Sequence, residues 1–329
     1  MKTKKITLIH IEMKNMLKSV AFPIKSISNF YNKMSVWGKL LILIIICLVV
    51  FMMFKKKHNI NMNIEGFESG EKFLHYTGHE IYDDFYSDIY DHLVYNSIKD
   101  SYEVGQIINK TAPTNESVIL DIGCGNGHHV AELTNKNLNA IGVDVSPAMV
   151  KTAKNTYPSN NYRVGDALNN ALFQPSTFTH ILCLYFTVYY IEDKKRFFTN
   201  CMKWLKQGGV LVVHLVDRQN FDPILNPANP LIILSPQRYA EDRITKSTIT
   251  FDNFKYDADF KLDEKNDTAK FVEKFNFSDG KTRKNEHIMY MESESTILNL
   301  AQEAGFILTG KIDLIHSGYE YQYLYILQK

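Results

Sequence analysis

The chain has 329 residues, of which 45% are hydrophobic and 22% charged, with only 16 Gly and 9 Pro. These values exclude a disordered or collagen-like chain and leave apolar material for one large domain or two small ones. The formal net charge of +1 hides a division: residues 1–70 carry 11 Lys against Glu12, Glu65 and Glu68, a net of +8, whereas residues 71–329 carry 26 Lys and Arg against 33 Asp and Glu, a net of −7. A basic front piece precedes an acidic body, and the two need separate explanations.

In the front piece, residues 1–35 form a Lys-bearing basic tail. Residues 40–54 (LLILIIICLVVFMMF) are 15 consecutive apolar residues, with Lys39 before them and Lys55, Lys56 and Lys57 after. At about 1.5 Å per residue this run spans roughly 22 Å, short of a hydrocarbon core of ~30 Å. Val36, Trp37 and Gly38 extend it if Lys39 snorkels, and Trp37 suits the headgroup interface. The run is apolar all round, unlike a core helix, and begins too late for a secretory signal. We therefore expect a single transmembrane helix over 36–57, followed by a linker over 58–78. The lysines on the two sides nearly balance, so they give no orientation. The four cysteines, Cys47, Cys124, Cys183 and Cys201, form no C-x-x-C pair and join no His cluster, so no metal site is expected.

From residue 79 the pattern changes. Helical spacing over 79–95 and 97–110 leads into a short buried strand, SVILDI, at 117–122. A helix at about 127–136, a strand at 139–144, and a helix opened by Ser146 as N-cap with Pro147 at its first position follow. Further strands are expected at 161–166, 179–185 and 210–216, with a helix over 193–206 closed by Gly208-Gly209. Short apolar strands alternating with amphipathic helices indicate an α/β fold, a Rossmann-like doubly wound sheet. Residues 246–291 instead alternate polar and apolar, with Asp279-Gly280 as a hairpin turn, and read as an antiparallel β insertion of three or four strands. A helix at about 294–304 and two strands close the chain.

Residues 120–127 read LDIGCGNG. A strand runs into Gly123, Gly125 and Gly127 and a helix begins at once, which supplies a tight turn and free N–H groups. The spacing is G-x-G-x-G, not the G-x-G-x-x-G of dinucleotide folds. Asp121, two residues before the first Gly, would repel a pyrophosphate but pair with an ammonium group. Asp144 ends the second strand, where an acid accepts hydrogen bonds from ribose hydroxyls. Asp166 follows the third strand. Three acids at successive strand ends describe a nucleoside joined to an amino acid, as in S-adenosylmethionine.

With these motifs (LDIGCGNG, IGVDVSPAMVKTAK, YRVGDA and LKQGGVLVV) the stretch 79–329 resembles the class I S-adenosylmethionine-dependent methyltransferases. The resemblance implies that Asp121 and Gly123 hold the methionine end, with Gly125 and Gly127 in the same loop. It implies that Asp144 takes the ribose hydroxyls, that Val145 and Ser146 lie beside the adenine, that Asp166 and Ala167 meet its edge, and that Leu184 lines the methyl-donor side. Where the family often has Phe-Asp before the fourth strand, this chain has Phe178-Thr179.

A sulfonium is already an activated leaving group, so the protein must align a nucleophile and, for some acceptors, remove a proton. His214 and Tyr190 are the candidates for that work, and Tyr90 and Tyr95 for the walls over the cofactor. The segment YDHLVYNSIKDSYEVGQII with the insertion resembles a small-molecule N-methyltransferase subgroup, including amino-sugar enzymes. The expected function is therefore a membrane-tethered methyltransferase acting on a small amine or lipid headgroup. The alternatives are a protein or nucleic-acid methyltransferase, and a catalytically silent cofactor-fold module. The body's net of −7 argues against a phosphate backbone as partner, which needs a basic track, and the sequence carries no signal for an oligomeric state. Because the cofactor is made in the cytosol, the body is expected on that side. The Lys- and Asn-rich usage, with EGFE after the apolar run, resembles anchors in proteins of large DNA viruses.

Overall fold

The computed structural model describes residues 34–56, 72–223 and 243–329. The expected basic tail (1–33 of it), residue 57 of the expected helix and residues 58–71 of the expected linker lie outside the described residues. The chain divides into two compact units, Met1–Ile60 and Asn61–Lys329.

In the first unit one helix, α1 (Val36–Lys56), takes up the apolar run. Among the described residues no helix is long and apolar enough to cross a membrane. The structure therefore does not show the expected membrane anchor.

The second unit opens with a strand, β1 (Phe73–Thr77), inside the stretch expected as linker. A 3-10 turn over Gly78–Ile81 leads to helix α2 (Asp84–Leu93), capped by the Asp83 carboxylate accepting from the Tyr86 N–H at 2.9 Å. Helix α3 (Ser97–Thr111) is capped in the same way by Asn96. The alternation then runs β2 (Val118–Ile122), α4 (His128–Asn135), β3 (Asn139–Asp144), α5 (Pro147–Thr156), β4 (Asn161–Val164), β5 (Phe178–Cys183), α6 (Lys194–Trp204) and β6 (Leu205–Val216). Ser146 caps α5 and Pro147 opens it, as the sequence signals. Strands β7 (Lys246–Thr250), β8 (Phe254–Asp263), β9 (Thr268–Phe277) and β10 (Thr282–Tyr290) form the insertion. Helix α7 (Glu294–Glu303) and strands β11 (Ile307–Asp313) and β12 (Gln322–Gln328) complete the chain.

Two sheets result. The larger has the order β11-β12-β6-β5-β2-β3-β4. It is parallel from β4 to β6, and β12 runs antiparallel to both its neighbours. The order reverses at β2, which leaves a crevice at its carboxyl end, where ligands of open α/β sheets sit. The smaller sheet has the order β1-β10-β9-β8-β7. Its insertion strands are antiparallel, and β1 joins them parallel to β10.

One boundary differs from expectation. Gly208-Gly209 does not close a helix: α6 stops at Trp204 and β6 starts at once. Leu205 pairs with Phe178 and Val210 with His180, so residues 206–209 are a bulge, with Gly208 at φ 74°. The register of β5 demands the bulge, a tertiary constraint that the local glycine signal does not carry.

The core lies on both faces of the large sheet. One side joins α2, α6 and α7 to the inner face of the insertion through Phe85, Ile89, Phe197, Phe198, Phe275 and Phe277. The other packs α3, α4 and α5 through Val104, Ile107, Val130, Leu133 and Val150.

Candidate functional site

A cavity of about 660 Å³ opens at the carboxyl ends of β2, β3 and β5. The glycine loop forms its floor. Gly123, Gly125 and Gly127 all have positive φ, at 73°, 52° and 87°. At Gly123 an added Cβ would lie 2.5 Å from the Thr187 side chain, so only glycine lets the loop pass that residue. At Gly127 a Cβ would meet the Tyr162 hydroxyl at 2.6 Å and its ring at 2.7 Å. Gly127 therefore serves close packing of helix on strand, and it is not on the cavity wall.

Asp121 lines the cavity at the end of β2. It is 1% exposed, and among the described residues its Oδ2 has no hydrogen-bond partner. Burial, reinforced by Asp100, Asp144 and Glu103 and opposed by His129, pushes its pKa up to about 7. Such an oxygen gains by meeting a cation. Beside it on the wall stand Lys99 and His129. Burial works against charge on His129, but Asp100, Asp121 and Glu103 outweigh it and raise the pKa to about 9. Lys99 is raised as well, because Glu103 and Asp100 outweigh its burial. One acid with a free oxygen and two cations complement a zwitterionic amino acid, so this end of the cavity fits the methionine portion of S-adenosylmethionine.

Asp100, Glu103 and His129 are also close enough together to ligate a metal ion. The Lys99 ammonium lies 2.8 Å from Glu103 Oε2, so the protein's own cation already stands there.

Asp144 ends β3 with Oδ2 accepting from the Gly125 N–H and Oδ1 from the Ser146 N–H, both at 2.9 Å. Burial raises its pKa, while those backbone bonds pull it down. Each oxygen keeps a second lone pair for a hydroxyl donor. Val145, Asp166, Ala167 and Leu184 continue the wall. Ser146 does not: its hydroxyl donates to the Tyr82 carbonyl at 2.6 Å and accepts from the Met149 N–H at 3.1 Å, inside the protein. Its signal as a helix cap was the informative one.

Tyr90, Tyr95 and Tyr190 all reach the cavity. Tyr95 stacks on His128 with ring centroids 3.9 Å apart. His214 does not reach it. It is 0% exposed, its Nδ1 donates to the Tyr185 carbonyl, and its Nε2 lies 3.1 Å from Gln322 Oε1. Burial lowers its pKa to about 4. The expectation of His214 as a proton acceptor is therefore corrected: β6 turns it into the core.

The inserted sheet supplies the opposite wall, with side chains the sequence reading passed over. His287 on β10 lines the cavity, with Nδ1 3.1 Å from Tyr190 Oη and Nε2 2.8 Å from Glu273 Oε2. Glu273 on β9 is 0% exposed and also accepts from Tyr86 (3.2 Å), Tyr256 (2.8 Å) and Asn285 (3.1 Å). Burial works to raise its pKa, and the bonds from His287, Asn285 and Tyr256 hold it below the usual carboxylate range. The signal was present in the alternation. The inward row of β9 is Ala269, Phe271, Glu273, Phe275 and Phe277, and an acid among phenylalanines breaks the pattern.

Comparison with known proteins agrees with this geometry. Residues 120–213 match the family described as Methyltransferase domain. Over 98 residues the chain is 31% identical to a putative methyltransferase, 235L, of Invertebrate iridescent virus 6, covering 29% of this chain and 36% of that one. Over 125 residues it is 24% identical to a ubiquinone biosynthesis O-methyltransferase of Rickettsia bellii, covering 37% and 52%. The chain thus spans about a third to a half of the length of these curated relatives. Among solved structures, an S-adenosylmethionine-dependent methyltransferase from Clostridium acetobutylicum aligns with a TM-score of 0.57 at 20% identity, covering 74% of this chain and 97% of that one. The likeness to the methyltransferase-domain family is thus confined to residues 120–213, and the fold is the one shared with that solved structure.

Proposed function

We propose that the chain is a S-adenosylmethionine-dependent methyltransferase acting on a small molecule. The observation that carries this reading is Asp121, whose buried Oδ2 lacks a partner at the cavity wall beside the glycine loop. In the reading, Asp121 takes the cofactor's ammonium, Lys99 and His129 take its carboxylate, and Asp144 takes the ribose hydroxyls. Asp166, Ala167 and Val145 surround the adenine, and Leu184, Tyr90 and Tyr95 cover the rest. The cofactor supplies an activated methyl group. The protein's own task is to exclude water, align the acceptor and receive any proton it loses. Supporting a small acceptor are the recessed aromatic cavity, the name of the Rickettsia relative and the body's acidic charge. An amine or lipid headgroup is the acceptor class the sequence favours.

Calorimetry of the full chain with S-adenosylhomocysteine tests the reading. Binding is expected, and Asp144→Ala is expected to weaken it by about 1–3 kcal/mol, the cost of losing a buried hydrogen-bond acceptor. No binding by the unaltered chain would sink the proposal. The tether belongs to the same reading and is supported by the apolar run 40–54 between lysines. After alkaline carbonate extraction the full chain should remain in the membrane pellet, and release to the supernatant would refute the tether.

A further inference from the structure

Three side chains from three separate elements form one line leading inward from the cavity wall: Tyr190 from the 3-10 turn after β5, His287 from β10 and, behind it, Glu273 from β9. We propose that His287, held by Glu273 and reached through Tyr190, is the proton acceptor for methyl transfer, so that the acceptor's attacking atom carries a proton that must be removed. The inference rests on the methyltransferase reading above and adds to it an acceptor class: a hydroxyl or an ammonium, not a carboxylate.

The hydrogen-bond directions decide the roles. A carboxylate can only accept, so Nε2 of His287 donates to Glu273 Oε2 across 2.8 Å. In the tautomer that this bond selects, the free lone pair sits on Nδ1, placed to accept the Tyr190 hydroxyl across 3.1 Å. Glu273 fixes the tautomer and stabilises the imidazolium once it forms, the same division of labour as an acid behind a catalytic histidine. Its other bonds, from Tyr86, Tyr256 and Asn285, keep it ionised and immobile. Asn285 is held in turn by Arg283 Nε at 2.9 Å, and Arg283 pairs with Asp83 at 2.7 Å. The groups packed against His287 are therefore Glu273 and Asn285 of the insertion, Tyr82 and Tyr86 before and within α2, Tyr190, and the Phe271 ring. Burial raises the Tyr190 phenol, with Tyr82 opposing it. Tyr190 thus relays a proton and does not rest as a phenolate.

The step balances. The acceptor's X–H proton moves to Tyr190 Oη while the Tyr190 proton moves to His287 Nδ1. The freed pair on X forms the bond to the methyl carbon, and the pair of the broken C–S bond stays on sulfur. The positive charge that was on sulfur ends on the His287 ring beside Glu273, and the extra proton passes to water after product release.

The test uses the full chain saturated with S-adenosylhomocysteine and 4-nitrophenol as the probe, whose visible absorbance reports its ionisation. Bound probe should ionise at least about one pH unit below the free phenol, because His287 takes its proton. His287→Gln should abolish that shift and Glu273→Gln should reduce it, while affinity for S-adenosylhomocysteine stays within about twofold in both and certifies the fold. Methyl transfer to hydroxyl acceptors should fall by about 10²–10⁴-fold in His287→Gln, the usual worth of a general base. A probe that stays neutral or unbound in the unaltered chain, or one that ionises equally in His287→Gln, overturns the relay alone. Failure of the unaltered chain to bind S-adenosylhomocysteine overturns the methyltransferase reading, and the relay falls with it.

Discussion

At the scale of single residues, the role proposed for Asp121 makes cofactor binding depend on pH. Its pKa of about 7 means that it is protonated below neutrality and ionised above. Only the ionised form attracts an ammonium group. His129, at about 9, stays cationic over the same range. Affinity for S-adenosylhomocysteine should therefore fall as pH is lowered from 8 to 6, by about tenfold for a single proton titrating at the midpoint. Calorimetry at the two values checks this, and Asp121→Asn should be weaker and flat with pH. Gly123 offers a steric counterpart. Its φ of 73° and the Thr187 contact at 2.5 Å leave no room for a methyl group. Gly123→Ala should distort the loop and weaken cofactor binding by at least about tenfold, the result of a few kcal/mol of strain. Thr187→Ala in the same chain should recover part of the loss.

At the scale of elements, the insertion is the part whose meaning changed most. Its period-two pattern predicts strands, and strands form, with Asp279-Gly280 in the β9–β10 turn. The pattern also identifies the inward face: Phe275 is 0% exposed and meets Phe85 and Tyr256 edge-on or tilted at 5.5 and 5.2 Å. Phe275→Ala should cost about 3–5 kcal/mol of stability, the range for a buried aromatic truncated in a core. Lys274→Ala on the outward face should cost little. Thermal unfolding of the two variants separates the faces, and equal losses would contradict this register. What the pattern does not reveal is which helix the inward face covers. The pairing of β1 with β10 is non-local, between Phe73 and Thr282 at one end, and a five-residue strand in a polar stretch gives no signal of a partner two hundred residues away.

At the scale of the whole molecule, the charge division carries information the average conceals. The net of −7 on residues 71–329 includes Asp121, Asp144 and Glu273, each placed at the cavity or directly behind it. In the proposed reading those acids serve a small cationic or proton-bearing ligand, and an acidic body offers no basic track for a phosphate backbone. Binding of S-adenosylhomocysteine should accordingly change little with salt, since its charges meet buried partners that the solvent screens weakly. A titration across a tenfold range of sodium chloride checks this.

From residue 79 on, the order of strands and helices, the glycine loop and the acids at three strand ends were legible in the sequence, because each depends on local periodicity, local turn chemistry or the position of one residue at the end of an element. The tertiary structure decided where the side chains point once strands pair. It turned His214 into the core through the register of β6, took Ser146 off the cavity wall as a cap, and made a bulge of the glycines after α6. It also carried Glu273 and His287 on an inserted sheet to within hydrogen-bond reach of each other and of Tyr190. Sequence fixes local preference, but a contact between residues 190 and 287 exists only when two sheets pack, and the free energy that selects that packing comes from the buried aromatic face they share.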